Sequence, residues 1–255
     1  MGCNRIAVFV VMLGMCAPLR GAEPRHWSEL RMPDGVNHVK LPIVRADDYL
    51  FTRVSINGQD GGWFMIDTGA NGCMLSNKAT QKFKLQKYGA INVNAPGGTQ
   101  SVKGELYEIN SMSFAGISVG PRLIMSTDLE RLPFIGEKLS GIIGTDVLSQ
   151  MPFTLDLREP SLTFHRPGKI PAAAPGATLE KLRIFNNWPA VQASVEGNAG
   201  WFLVDTGSSG VPMELFAPFM ALHPEMLKGK HVHSNISFGM GGIVDSQSTS
   251  FTSFS

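Results

Sequence analysis

A chain of 255 residues allows one large domain or two small ones, and 43% hydrophobic against 17% charged residues excludes disorder by composition and permits a sizeable core. A formal net charge of +1 gives no global basic field, so no nucleic-acid partner is expected. The 28 Gly and 16 Pro favour a turn-rich β fold over a helical bundle.

In chain order, the first element reads as an export signal. Arg5 supplies a positive start, and residues 6–17 form a nearly unbroken apolar run, the length of a signal-peptide core and too short to span a bilayer comfortably. A signal peptide over residues 1–22, ending at Ala22, is the reading; a membrane anchor is the alternative. The mature protein is then exported, periplasmic or secreted, with no stable membrane span. Cys3 and Cys16 fall in the signal, leaving Cys73 as the single mature thiol. It can form no internal disulfide and reads as a buried apolar residue.

From residue 41 the text is strand, turn, strand. Residues 49–56 alternate loosely, Asn57 to Gly62 reads as a turn, and Trp63-Phe64-Met65-Ile66 is an apolar strand ending on Asp67. Residues 153–157 and 161–165 flank Arg158-Glu159-Pro160 as a hairpin with period-two alternation. Residues 167–178, with three prolines and no periodicity, read as a linker. The order then restarts: a strand over 189–195, a turn from Glu196 to Gly200, and Trp201-Phe202-Leu203-Val204 ending on Asp205. The second copy has one residue fewer in its turn. This repeat of a whole unit implies two similar lobes.

A lone Asp-Thr-Gly is a weak motif; two, each ending an apolar strand after a glycine turn, are a strong one. A carboxylate at the end of a buried strand needs a partner or a task. Lobes related by an approximate two-fold axis would bring Asp67 and Asp205 together. Two such carboxyls share one proton, so one can take a proton from water while the other donates to a carbonyl oxygen. Gly69 and Gly207 allow close backbone turns, and the Thr68 and Thr206 hydroxyls can fix the loops. This chemistry needs no cofactor and no metal. His231 and His233 share one side of a strand, but with no third ligand identifiable they are read as surface residues. Plainer roles stand beside these: turn caps for Asp67 and Asp205, a helix N-cap for Asp146, a solvent-facing position for Asp156, and core or lobe-interface packing for Trp63 and Trp201.

The stretches WFMIDTGANG and WFLVDTGSSG resemble the active-site loops of aspartic proteases, in particular the retropepsin-like proteins of bacteria, and two copies in one chain resemble the pepsin-like arrangement. The resemblance implies an all-β, bilobal acid-protease fold with a first lobe over 41–166 and a second over 179–255. It implies that the apolar-apolar-Gly element ending at Gly144 supports the first loop, and that glycine-tipped flaps lie at Gly97 and Gly98 and at Gly241 and Gly242. It further implies an exported aspartic endopeptidase acting on a peptide or protein substrate through Asp67 and Asp205. No apolar-apolar-Gly element and no counterpart of the 153–165 hairpin follow Asp205, so the second lobe is expected to be incomplete: a fragment, degenerate, or completed by another chain. The competing expectations are a non-catalytic, exported β-rich binding module and a homodimer whose two copies of Asp67 form the pair. Ser208, unlike Ala70, is expected to donate to its neighbouring carboxylate and make Asp205 the more acidic member.

Overall fold

The computed structural model describes residues 29–94, 101–129, 139–239 and 242–255. The expected signal peptide and the flap candidates Gly97, Gly98 and Gly241 lie outside the described residues. Among those described the fold is all-β and bilobal, with helices no longer than six residues.

The first lobe is built on an 11-stranded sheet. Its starting hairpin pairs Tyr49–Ile56 with Gln59–Ile66 around Asn57-Gly58, both at positive φ (51° and 75°). Such a two-residue turn matches the right-handed twist of the strands it joins. The turn read from sequence as Asn57 to Gly62 is therefore too long, because Gln59 to Gly62 are already strand. Val54 faces Gly62 and Ser55 faces Asp60, so Gly61 is the extra residue of a β-bulge. In the second lobe Trp188–Val195 pairs with Asn198–Leu203 without a break, around Glu196-Gly197 (φ 50° and 79°). Here too the expected turn shrinks to two residues. The one-residue difference between the copies is a bulge in a strand.

The strand Leu139–Ile143 positions the site in the first lobe. It runs parallel to Gln59–Ile66 on one side and antiparallel to Met74–Ser76 on the other. Gly141 makes that approach feasible, since a Cβ there would run into the Phe64 ring and the Met74 carbonyl. Phe64, Ile66, Leu75, Ile143, Val147, Phe153 and Phe164 fill the core beneath; each large apolar side chain so buried contributes about 1.5–3 kcal/mol. The hairpin Phe153–Asp156 with Ser161–His165 forms as expected and continues onto His38–Pro42. Asp156 is half-buried and closes that turn, accepting from the Arg158 and Glu159 N–H groups, which hold its carboxyl below the ordinary carboxylate value.

The second lobe is thinner. It has a three-stranded sheet, Arg183–Phe185, Trp188–Val195 and Asn198–Leu203, and a two-stranded ribbon, His233–Gly239 with Gly242–Ser248. Gly242, at a φ of 116°, opens the ribbon's return strand. Among the described residues from 179 onward, Pro189, Ala190, Val195 and Met226 are the buried ones. Trp201 is 43% exposed, so its expected role as core or interface packing is corrected: it stacks edge-on against Phe185 at the surface. Trp63 is half-buried, with the Arg53 guanidinium 4.5 Å from its ring centre. The serine-rich end of the chain pairs with this lobe, as Ser255 and Ser194 exchange backbone hydrogen bonds of 2.6 and 3.0 Å.

Candidate active site

In the first lobe, Asp67 leaves the strand with its N–H on the Ile143 carbonyl (3.1 Å). Its Oδ1 accepts from the N–H groups of Gly69 (2.8 Å) and Ala70 (3.0 Å), and it is 9% exposed. The helix Thr145–Leu148 holds the loop from behind: Thr145 donates to the Ala70 carbonyl through both its N–H (2.9 Å) and its Oγ1 (3.0 Å). Gly144, the cap of that helix, has to be glycine, because a Cβ would press on Gly72 and Ala70 backbone atoms at 2.6–2.8 Å.

Asp146 is not the N-cap. It sits in the first turn of the helix, buried, ion-paired with Arg122 and accepting from the Cys73 N–H (2.9 Å) and thiol (3.1 Å). Cys73 is thus a hydrogen-bonded tie between the loop and that pair as well as a core residue, and burial pushes its thiol up. A buried ion pair that loses one partner leaves an uncompensated charge, so Arg122 and Asp146 lock the underside of the loop together.

In the second lobe, Asp205 accepts from the Gly207 N–H (2.7 Å) and is exposed. Ser208 makes no hydrogen bond to it among the described residues. No described strand flanks Asn198–Leu203 as Leu139–Ile143 flanks Gln59–Ile66.

The two loops grip each other. The Thr68 N–H donates to Thr206 Oγ1 and the Thr206 N–H to Thr68 Oγ1, both at 3.0 Å. Each hydroxyl then donates across to the opposite strand, Thr68 to the Val204 carbonyl (2.5 Å) and Thr206 to the Ile66 carbonyl (2.8 Å). Reciprocity of this kind is a local two-fold axis. A Cβ on Gly69 would collide with the Asp205 carboxylate, and one on Gly207 with the Asp67 carboxylate. The six motif residues therefore form one constellation with the carboxyls face to face. Burial, then the charge of Asp205, push Asp67 up from 3.8 to about 7, against the Gly69 and Ala70 N–H groups, which pull it down; a hydrogen bond with Asp205 adds to the rise. Such a group carries a proton at acidic pH beside a second carboxyl able to accept one.

Further cross-lobe contacts were not legible in the motif. Trp188 Nε1 donates to the Gly69 carbonyl (2.6 Å), Ser209 Oγ to the Tyr49 hydroxyl (2.6 Å), and the Gly210 N–H to Asp48 (3.3 Å). The signal that could have found them is the repeat itself, followed further back than Ile56 and Val195.

Residues 52–147 match the family described as Aspartyl protease. No curated protein matches the chain. Among solved structures it is similar to a retropepsin-like aspartic protease from Rickettsia conorii, at 16% identity over 55% of this chain and 93% of that one, with a TM-score of 0.36. It is also similar to Basic 7S globulin from soybean, at 11% identity over 64% of this chain and 61% of that one, with a TM-score of 0.41.

Proposed function

We propose that the chain, whose residues 52–147 match the aspartyl protease family, is an exported aspartic endopeptidase whose catalytic pair is Asp67 and Asp205. The reciprocal Thr68–Thr206 hydrogen bonds, with each motif glycine against the opposite carboxylate, carry this reading. A water between the carboxyls gives a proton to Asp205 as its oxygen bonds to the peptide carbonyl carbon, while Asp67 donates its proton to the carbonyl oxygen, leaving a gem-diol. The proton held by Asp205 then passes to the leaving nitrogen as the C–N bond breaks, and one gem-diol hydroxyl returns its proton to Asp67 as the new C=O forms. The lobes over 41–166 and 179–255, joined by the 167–178 linker, are part of this proposal, as is the signal over 1–22. Gly242, at the base of the ribbon, is the flap candidate within the described residues.

The alternative, a binding module without catalysis, is favoured by the thin and apolar-surfaced second lobe. Hydrolysis of an unfolded protein between pH 3 and 8, with Asp67→Asn alongside, separates the two. The endopeptidase reading expects cleavage that falls as pH rises through about 7, where Asp67 loses its proton, and a loss of at least about a hundredfold in the variant. A folded wild-type chain with no cleavage at any pH would leave the binding module.

A further inference from the structure

Two aromatic side chains that take no part in the proton transfers lie against the motif loops. The offset that aligns the two copies carries Tyr49 onto Trp188. Each opens an eight-residue strand, Tyr49–Ile56 or Trp188–Val195. Each also follows a two-residue turn, Asp47-Asp48 or Asn186-Asn187, that closes a hairpin with Val44–Ala46 or Arg183–Phe185. The repeat thus begins a full hairpin earlier than the glycine turns suggest.

From these equivalent positions the two side chains reach into opposite lobes. The indole of Trp188, on the second lobe, donates to the Gly69 carbonyl of the first lobe's loop. The phenol of Tyr49, on the first lobe, receives the Ser209 hydroxyl of the second lobe's loop. Asp48, beside Tyr49, adds the Gly210 N–H. Gly69 is packed against the Asp205 carboxylate, and Ser209 lies two residues beyond Gly207, which is packed against that of Asp67. An aromatic ring suits such a role because it reaches far with two side-chain torsions to restrain and carries its polar group at the tip.

We propose that Tyr49 and Trp188 are positioning residues, a pair of crossed aromatic clamps that set the separation of the two carboxyls by holding each motif loop from the other lobe. The clamps act through Gly69 and Ser209 and touch no reacting atom. Their importance is unequal. The first loop is also held by Thr145 from within its own lobe, whereas Thr206, Ser209 and Gly210 of the second loop are held across the boundary by Thr68, Ile66, Tyr49 and Asp48.

The inference rests on the proposed Asp67–Asp205 pair, so its test needs a readout that survives without proteolysis. Tyr49→Phe keeps the ring, Trp188→Phe keeps a smaller aromatic, and each removes the polar tip. An NMR titration of the Asp67 carboxyl carbon in the whole chain responds to the carboxyl separation, because after burial the charge of Asp205 is what raises it. Each variant is expected to lower the Asp67 midpoint as the carboxyls part. In hydrolysis, kcat is expected to fall about tenfold with KM held within about twofold, as for a small misplacement of catalytic groups. An unchanged Asp67 midpoint in whichever variant folds overturns the clamp. A lowered midpoint in a chain that cleaves nothing would uphold the clamp and defeat the endopeptidase reading.

Discussion

The two motif loops share the letters Asp-Thr-Gly and the same reciprocal threonine bonds, yet they are supported differently. The first rests on Leu139–Ile143, on the helix behind Gly144 and on the Arg122–Asp146 pair, and its carboxyl is buried. The second ends a three-stranded sheet, leans on the first lobe, and presents an exposed carboxyl. The motif builds the grip between lobes, while the surrounding strands decide how dry each carboxyl is. Desolvation is the largest cause of the rise at Asp67, so the support beneath the first loop is what raises that carboxyl.

The largest expected effect tests that difference in packing. Phe64 and Phe202 are equivalent in the repeat, but Phe64 is fully buried whereas Phe202 is half-buried against Phe219 and Phe254. Phe64→Ala should cost about 3–5 kcal/mol in urea unfolding and Phe202→Ala less than about half of that. Equal losses would mean that the second lobe is packed as firmly as the first.

A smaller effect concerns pH. With its folded value raised to about 7, Asp67 contributes stability that is complete below the ordinary carboxylate range and is lost as pH rises through 7. Thermal unfolding of Asp67→Asn should therefore vary less between pH 4 and pH 8 than that of the wild type, and the variant should melt higher at pH 8. A variant that melts lower at pH 8 would show that the carboxylate is stabilised in the fold. The smallest effect is expected from Ser208→Ala. With no hydrogen bond from Ser208 to Asp205, the variant should leave the pH–rate profile unmoved, and a shifted acid limb would restore the role expected of that hydroxyl.

Much of this was legible in the sequence, for identifiable reasons. The 153–165 hairpin and the strand-turn-strand run into each motif are local patterns, and local patterns survive folding. The turns were overestimated because Gln59 to Gly62 carry turn-like letters but lie in a bulged strand, where Gly61 supplies the extra residue. Asp146 reads as a cap from its place before Val147-Leu148, whereas Gly144 performs that role and Asp146 turns inward to Arg122, on a distant strand. No spacing rule joins those two. Tyr49 and Trp188 escaped notice because they differ in letter, and only the alignment of whole hairpins shows that they are equivalent. Trp201 reads as an inside residue from its place in an apolar run, but Asn198–Leu203 is the edge of its three-stranded sheet among the described residues and the ring is left exposed.

The most direct test of a site shared between two halves of one chain is the hydrolytic activity of Asp205→Asn, with the oligomeric state of the sample measured alongside. The single-chain pair expects activity to be lost as completely as in Asp67→Asn, with the Asp67 titration falling toward the ordinary carboxylate range. Full activity in Asp205→Asn beside a dead Asp67→Asn would contradict it and point to two copies of Asp67 meeting in a homodimer.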